Sequence, residues 1–343
     1  MKKTFLITGG AGYIGTNLIY YLLKNDFNAI VVDNLSNSNL LAINNLEKYF
    51  KTKIKFFNCD IRNEQFLTEI LQENKINAVI HLAAKKYIAE SFIKEQEYLK
   101  NNIDGTQSLL NSMNKSNVKE IYFASSISVY GNPVYLPLDI NHPLNALSPY
   151  AKSKVECEKI ITKWQKNTPD STAILFRFTN PVGARNNVML GDNPTCEYST
   201  LFPQLVKKIE VGEQISINGN THPTKDGSCV RDFIDIKDLT EVVFKFCTQK
   251  NQGLKTIIVG NGKITYSVLD VIKSLEKIYN KNLDYKINPA RPNEVPLIEV
   301  DNSFIVKNID YSPKCNLLDM LQSQVEFTKS LNKKPWIIMA FLL

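Results

Sequence analysis

Near its start the chain carries Phe5-Leu6-Ile7-Thr8-Gly9-Gly10-Ala11-Gly12-Tyr13-Ile14-Gly15, in which closely spaced glycines follow a short apolar run. Helical spacing continues over residues 16–24, so the pattern predicts a strand, a tight turn and a helix. Gly9 permits the turn, Gly12 lets a pyrophosphate approach the backbone, and Gly15 lets the helix lie close to the strand. The N–H groups at the helix start attract phosphate, so we expect a dinucleotide here.

An acidic residue follows this turn at the distance expected of a ribose ligand. Asp33 ends the second predicted strand, residues 29–32, and lies 18 residues after Gly15. A carboxylate at this point holds the adenosine ribose hydroxyls and repels a 2′-phosphate, which favours NAD over NADP. Asp60, after a third strand at residues 53–57, is expected beside the adenine; the alternative is a helix cap ahead of Asn63 and Glu64.

Strands and helices alternate through the first half of the chain. Further strands are predicted at residues 78–82, 120–124 and 173–176, and helices at 64–74, 102–116 and 150–165. This alternation predicts an α/β protein with a Rossmann-type doubly wound parallel sheet, whose ligands bind at the carboxyl ends of the strands.

The pattern loosens after Pro181, which predicts a smaller, mixed C-terminal substrate-binding lobe. Its expected elements are helices at residues 201–211 and 267–279 and strands at 215–217 and 256–259, with some segments returning to the main sheet. We therefore divide the chain into an NAD-binding domain at residues 1–180, a substrate-binding lobe at 181–335 and an apolar tail at 336–343. The tail is expected to be docked or frayed, with contact to a partner or a membrane as the alternative.

Composition excludes several classes of protein. The 343 residues carry a formal net charge of +7, but only five of the basic residues are Arg and the Lys are scattered among acids, so no nucleic acid partner is expected. The sequence contains no apolar run long enough to span a bilayer, which predicts no membrane partner. Six dispersed Cys and three His without ligand spacing predict thiols in a reducing cytoplasm and no metal site.

Three residues form the candidate catalytic group. Tyr150 and Lys154 lie four apart at the start of a predicted helix and so share a face. The Lys154 ammonium is expected to bring the pKa of the Tyr150 phenol down toward the working pH, which makes the phenolate a base. Ser126, after a predicted strand, would orient the substrate oxygen; a turn or capping role is the alternative.

These motifs resemble the extended short-chain dehydrogenase/reductase family and, within it, the NAD-dependent nucleotide-sugar epimerases of the UDP-glucose 4-epimerase type. The resemblance runs from about residue 3 to about residue 330. Its most specific pieces include the glycine-rich turn, Ser125–Gly131, residues 148–154 and 180–184, and Val230-Arg231-Asp232. It implies NAD contacts at Tyr13, Ile14, Asp33, Asn34, Asn37, Asp60, Ile61, Leu82, Ala83, Ala84, Lys86, Asn101, Tyr150 and Lys154.

The resemblance also implies a substrate site. Arg231 and Arg291 are expected to grip the diphosphate, because guanidinium forks suit that geometry, with a salt bridge as the alternative for each. The other implied contacts are Lys86, Ser126, Tyr150, Asn180, Thr200, Leu201, Asn218 and Glu294. The chain departs from the usual pattern of the family at Phe178-Thr179, where Tyr-Phe is usual, at Ser199-Thr200, where an Asn pair is usual, and at Asn218, a position that is often aromatic. It also departs at Ile298, where residue size governs tolerance of an N-acetyl group.

The expected activity is inversion at C4 of a UDP-hexose through a 4-keto intermediate, which interconverts UDP-glucose and UDP-galactose in galactose metabolism. Alternatives are a UDP-N-acetylglucosamine 4-epimerase, another nucleotide-sugar epimerase or dehydratase, or an NAD-sensing regulatory protein of the same fold. A 4,6-dehydratase would want an Asp-Glu pair where Ser126-Ile127-Ser128 stands. The resemblance further implies a homodimer, formed through the helices at residues 102–116 and 150–165.

Overall fold

The computed structural model describes residues 2–193, 200–291 and 294–332. The apolar tail, Ser199 and the end of the second predicted domain therefore lie outside the described residues. Within those residues, none of the helices is both long and apolar enough to cross a bilayer.

The strands follow in chain order. They are β1 Thr4–Thr8, β2 Asn28–Asp33, β3 Lys55–Asn58, β4 Ala78–His81, β5 Glu120–Ser126, β6 Thr172–Phe178, β7 Asn180–Val182, β8 Ala184–Arg185, β9 Leu190–Gly191, β10 Ile215–Asn218, β11 Val230–Arg231, β12 Phe233–Asp235, β13 Gly253–Val259, β14 Tyr266–Ser267 and β15 Tyr285–Asn288.

The α-helices alternate with these strands. They are α1 Tyr13–Lys24, α2 Leu41–Phe50, α3 Glu64–Glu73, α4 Ile88–Ile93, α5 Glu95–Leu99, α6 Gly105–Lys115, α7 Pro149–Asn167, α8 Leu201–Glu210, α9 Ile236–Thr248, α10 Val268–Tyr279, α11 Ser303–Ile309 and α12 Leu317–Asn332.

A seven-stranded sheet forms the centre of the molecule. Its order is β13-β6-β5-β4-β1-β2-β3, and all neighbouring pairs are parallel. The order reverses between β1 and β4, which is the point where a doubly wound sheet leaves a crevice for ligands. The predicted Rossmann-type fold class is confirmed.

Both faces of this sheet are covered by apolar side chains. On β1, Phe5 and Ile7 point into one core and Leu6 into the other, as the two-residue period of a strand requires. Helices α1, α2 and α9 fill the first core, while α3, α6 and α7 fill the second. Strands buried on both faces explain why the sequence shows continuous apolar runs rather than alternation.

The later part of the chain has an apolar cluster of its own. Helices α8, α10 and α12 contribute to it, together with Ile215 and Ile217 of β10. Small two-stranded sheets lie in this half of the chain: β10-β15 and β12-β7 are parallel, while β11-β14 and β8-β9 are antiparallel. Strand β13 pairs with β6 along all seven residues, so part of the C-terminal half completes the main sheet. The division at residue 180 stays a prediction.

Candidate functional site

The glycine-rich turn lies between β1 and α1, against the end of β4. Gly9 has φ +68°, and a Cβ there would lie 2.7 Å from the backbone nitrogen of Ala83. Gly12 faces open space except for the Gly9 carbonyl oxygen, 3.2 Å from its ideal Cβ, so a phosphate can approach. A Cβ on Gly15 would meet the turn backbone directly after β1, at 2.6 Å from the Gly9 oxygen, so a glycine is needed where α1 starts close to the turn.

Asp33 joins the turn to the loop that follows β2. One carboxylate oxygen accepts from the Ala11 backbone nitrogen at 3.1 Å, and the other accepts from the Leu35 nitrogen and the Ser38 hydroxyl, both at 2.9 Å. Asp33 is buried at the carboxyl end of the sheet. It therefore holds together the glycine-rich turn and the loop after β2, and its contact with an adenosine ribose stays a prediction.

Asp60 lies close to this loop, because the side chain of Asn34 is hydrogen-bonded to it. Its carboxylate accepts from the Arg62 guanidinium at 2.9 and 2.5 Å, and this pairing lowers the pKa of Asp60. The alternative role as a cap of α3 is wrong, since Asn63 caps that helix by accepting from the Phe66 nitrogen. Asn34 and Asp60 thus lie together, and their place beside the adenine stays a prediction.

One buried oxygen in this region lacks a partner. The Asn37 amide donates to the Tyr87 hydroxyl at 3.2 Å, but its Oδ1 atom is buried and has no hydrogen-bond partner in the described part of the chain. A buried acceptor without a donor is costly unless a ligand supplies one. Together with the open face of Gly12, this orphaned oxygen shows that the residues present fit a dinucleotide.

The remaining predicted cofactor residues surround the same crevice. The Leu82 backbone nitrogen donates to the Thr8 backbone oxygen at 3.0 Å, and the Ala83 nitrogen donates to the Thr8 hydroxyl at 3.4 Å. These two bonds fix the segment that continues through Ala84. Four other predicted contact residues already have protein partners. The Tyr13 hydroxyl donates to the Gly183 backbone oxygen at 2.6 Å, and the Asn101 amide donates to the Asn102 side-chain oxygen at 3.0 Å. Ile14 packs against the core, and Ile61 is buried against Gly105.

The candidate catalytic side chains meet where β5 ends and α7 begins. Ser148 caps α7 by accepting from the Ala151 nitrogen, and Pro149 opens the helix, so Tyr150 stands in its first turn. The buried Lys154 ammonium donates to the Ala124 oxygen at 2.6 Å and lies 5.9 Å from the centre of the Tyr150 ring. The Ser126 hydroxyl is hydrogen-bonded to the Tyr150 phenol. Its oxygen also accepts from the Ser128 backbone nitrogen at 3.2 Å and from the Ser128 hydroxyl at 2.9 Å.

The predicted effect of Lys154 on Tyr150 is wrong for the protein without nucleotide. Desolvation raises the pKa of the phenol to about 12, and the hydrogen bond with Ser126 offsets this only in part. Desolvation also lowers the pKa of Lys154 to about 8. Its ammonium is bonded to the Ala124 carbonyl rather than to the phenol, so the spacing of four residues brings the groups near each other without forming a phenolate–ammonium pair.

A buried ion pair supports this group, and the sequence analysis missed it. Arg177 of β6 donates to Glu158 of α7 from Nε at 3.0 Å and from Nη2 at 2.6 Å, with both side chains under a tenth exposed. Ser125 also donates to Glu158, at 2.5 Å, and Nη1 of Arg177 donates to the Tyr130 hydroxyl at 2.7 Å. The network ties the catalytic helix to β5 and β6. One indication of this network was present in the sequence, because Glu158 lies four residues after Lys154 and so shares its face of the helix.

Asp192 connects the cofactor side to the predicted substrate side. Its carboxylate accepts from the Thr200 hydroxyl at 2.8 Å and lies 3.6 Å from the Lys86 ammonium. Thr200 is the N-cap residue of α8, and Leu201 is the first residue of that helix. Lys86, Thr200 and Leu201 therefore lie in one region, as the substrate prediction requires.

The other predicted substrate residues gather around Glu294. Arg231 Nη2 lies 3.7 Å from Glu294 Oε1, and the Arg291 backbone nitrogen donates to Glu294 Oε2 at 3.4 Å. With the oxygen of its amide turned toward the guanidinium, Asn218 accepts from Arg291 Nη2 and Nε at 3.0 and 3.2 Å. The salt-bridge alternative for Arg231 is therefore observed, although 3.7 Å leaves its donors available to an anion.

Asn180 stands at the start of β7, beside these residues. Its amide donates to the Asp232 oxygen at 3.1 Å, and its backbone nitrogen reaches the same oxygen at 3.2 Å. Strands β7 and β12 pair at this point, which places Asn180 opposite Phe233.

Known proteins place this arrangement in a family. The model of the NAD dependent epimerase/dehydratase family matches residues 5–260. The chain belongs to this family. UDP-glucose 4-epimerase from Dictyostelium discoideum is 36% identical over 320 residues, with 92% of each chain covered, and that from Bacillus subtilis is 34% identical over 319 residues, covering 92% of this chain and 94% of the relative.

A solved structure agrees with the family match. UDP-glucose 4-epimerase from Bifidobacterium longum, in complex with NAD+ and UDP, superposes with a TM-score of 0.91 at 35% identity. The match covers 97% of this chain and 99% of that one, so it includes both the main sheet and the C-terminal half.

Proposed function

We propose that the chain is an isomerase that inverts C4 of a UDP-hexose and interconverts UDP-glucose and UDP-galactose. The observation that carries the proposal is the meeting of Tyr150, Lys154 and Ser126 at the carboxyl end of β5, on the same edge of the sheet as the glycine-rich turn after β1. Full-length relatives that are UDP-glucose 4-epimerases support it. The NAD-sensing alternative does not require this catalytic group.

NAD would be held by the open face of Gly12 and the start of α1, with Asp33, Asn34 and Asn37 toward its adenosine. Bound NAD supplies a hydride acceptor and donor next to C4 of the sugar. The protein supplies the proton chemistry. The positive charge of the oxidised nicotinamide would lower the pKa of the Tyr150 phenol again, so that Tyr150 acts as the phenolate. Its Oη takes the proton of the sugar 4-hydroxyl and later returns it to the same sugar oxygen. Ser126, hydrogen-bonded to the phenol, orients that hydroxyl.

The substrate is anchored away from the reacting carbon. Arg231 and Arg291 are proposed to bind the diphosphate, with Glu294 at the nucleoside ribose and Asn180 and Asn218 beside them. An anchored diphosphate holds the 4-keto sugar while the ring turns its other face toward the cofactor. Asn218 has a specific part in this, because its contact with Arg291 fixes the direction of that guanidinium.

The function is tested by incubating the purified protein with UDP-galactose, UDP-glucose and the two N-acetyl counterparts in separate reactions. Separation of the products should show interconversion of the glucose pair. Conversion of the N-acetyl pair alone would transfer the proposal to a UDP-N-acetylglucosamine 4-epimerase. Absence of interconversion in every pair, with NAD bound, would refute the epimerase proposal.

Ile298 is the residue to vary for sugar selectivity. It is buried in an apolar cluster with Ile127 and Val300, close to the end of β5. Ile298→Gly removes a side chain from this cluster and opens space there, which should raise the turnover of the N-acetyl pair relative to the glucose pair. An unchanged ratio would show that Ile298 does not limit the space for the N-acetyl group.

The assembly and compartment are also proposed. We expect a cytoplasmic homodimer formed through α6 and α7, and the unpaired thiols of Cys59, Cys157, Cys229, Cys247 and Cys315 agree with a reducing compartment. Light scattering of the purified protein measures its mass directly, and a monomer at micromolar concentration would contradict the dimer.

A further inference from the structure

Three potential metal ligands meet at the edge of the predicted substrate lobe. The ligand atoms of His222, Cys229 and Glu294 all lie within 4.8 Å of one another. His222 belongs to the turn after β10, Cys229 directly precedes β11, and Glu294 follows β15. Because the three come from separate segments, their spacing in the sequence gave no indication of a site.

The imidazole has a buried ring nitrogen that no protein group uses in the described part of the chain. His222 Nε2 is buried and has no hydrogen-bond partner among the described residues. The turn that carries it is fixed by backbone hydrogen bonds, from the His222 nitrogen to the Gly227 oxygen at 3.0 Å and from the Thr224 nitrogen to the His222 oxygen at 2.8 Å. A buried ring nitrogen without a partner carries a desolvation penalty that a metal ion would remove.

The donor set is one that zinc prefers. An imidazole nitrogen, a thiol sulfur and a carboxylate oxygen give three protein ligands and leave a fourth position open, as in catalytic rather than structural zinc sites. Zinc–ligand bonds of about 2.0–2.3 Å place tetrahedral ligands roughly 3.3–3.7 Å apart, so ligand atoms within 4.8 Å of one another are near the spacing that zinc needs.

Arg231 is the cation that now lies beside the cluster. It donates to the Val230 oxygen at 2.9 Å and the Pro296 oxygen at 3.4 Å, lies 3.7 Å from Glu294 and also interacts with the Cys229 thiol. Losing a contact of that length is a small loss for Arg231. A metal ion can therefore take Glu294 from it without displacing the guanidinium from its backbone anchors.

We infer that His222, Cys229 and Glu294 form an inhibitory zinc site. Binding replaces the thiol proton of Cys229 by Zn²⁺ and releases one proton to water, while His222 binds as the neutral ring and Glu294 as the carboxylate. No redox change is involved. Since Glu294 is proposed to hold the nucleoside ribose, bound zinc removes it from the substrate; this inhibitory consequence rests on the proposed function.

The binding itself is tested with cobalt as a spectroscopic probe of the holoenzyme. Co²⁺ bound to a thiolate gives a charge-transfer absorption, which one equivalent should produce and Zn²⁺ should abolish. Cys229→Ser should eliminate the absorption, and His222→Gln should weaken zinc binding by at least the roughly 10–100-fold that changes around metal ligands cause. Cys315→Ser, a thiol outside the cluster, is the matched control and should match the wild type.

The inhibition is tested separately by steady-state kinetics. Zn²⁺ should raise the KM for the UDP-sugar with little change in kcat, and both Cys229→Ser and His222→Gln should keep basal activity and lose this effect. Cobalt absorption that is absent from the wild type, or unchanged in both variants, would overturn the site. If the protein binds cobalt through Cys229 but has no epimerase activity, the site stands and the proposed function fails.

Discussion

The buried pair of Glu158 and Arg177 should be necessary for stability, and single and double variants can show this. Glu158→Leu leaves the Arg177 guanidinium buried without its counterion, and Arg177→Met does the same to the carboxylate. Breaking a buried pair on one side typically destabilises a protein by about 3–5 kcal/mol. We expect this loss for each single variant, because each side chain is under a tenth exposed.

The double variant should behave differently. With both charges removed, the remaining loss comes from the hydroxyls of Ser125 and Tyr130, which lose their partners at roughly 1–3 kcal/mol each. The sum of the single losses is about 6–10 kcal/mol. At the midpoints of these ranges the hydroxyls account for about 4 kcal/mol and the single losses sum to about 8 kcal/mol. The loss in the double variant should therefore be smaller than the sum of the two single losses by about 4 kcal/mol.

Urea denaturation of the holoenzyme, followed by tryptophan fluorescence and by far-ultraviolet circular dichroism, measures these differences. Coincident transitions from the two probes are needed before free energies are compared. Glu156→Gln is the matched control, because Glu156 and Lys159 form an exposed pair on the same helix at 2.7 Å. It should change the free energy of unfolding by less than about 0.5 kcal/mol. Single variants as stable as this control would refute the reasoning.

Three further variants test the site. Tyr150→Phe should retain NAD but turn over at least ~100-fold more slowly in the product assay; near-normal turnover would remove the phenol from its role. Lys154→Met should be compared with the wild type by denaturation without nucleotide, because the folded wild type releases the Lys154 proton near pH 8 whereas the unfolded chain holds it up to about pH 10.4. The free energy of unfolding of the wild type should therefore rise relative to that of the variant by roughly 3 kcal/mol between pH 8 and pH 10.5; a difference independent of pH would contradict this. Gly9→Ala should abolish NAD retention, measured by absorbance after gel filtration, since its Cβ would lie 2.7 Å from Ala83; Gly212→Ala, which has open space and a similar φ, controls for backbone strain.

The main sheet was predictable because its strands are apolar on both faces. The runs at residues 5–7, 29–32 and 173–176 lie inside β1, β2 and β6. Helices α2, α9 and α12 were not predicted; α9 packs on α1 through the Phe244 and Tyr21 rings, 5.9 Å apart. Such helices gain their stability from partners that are distant in sequence, so local spacing gives a weak signal.

The site shows the same limit. A motif such as Tyr150 to Lys154 specifies which groups lie near each other, but the pKa of each depends on how much water the fold removes. Here burial shifts the phenol in the direction opposite to the prediction. The partners of Glu158 and of Cys229 likewise come from other segments, so only the folded chain brings them together.

The pairing of β13 with β6 has a consequence for biosynthesis. As the chain leaves the ribosome, β6 emerges long before β13, and until residue 259 follows, β6 is an open edge whose seven residues are all buried in the finished protein. Unpaired, apolar edges recruit other chains. A nascent chain stopped near residue 180 therefore exposes an aggregation-prone strand, and chaperone protection is needed most in the interval between the synthesis of these two strands.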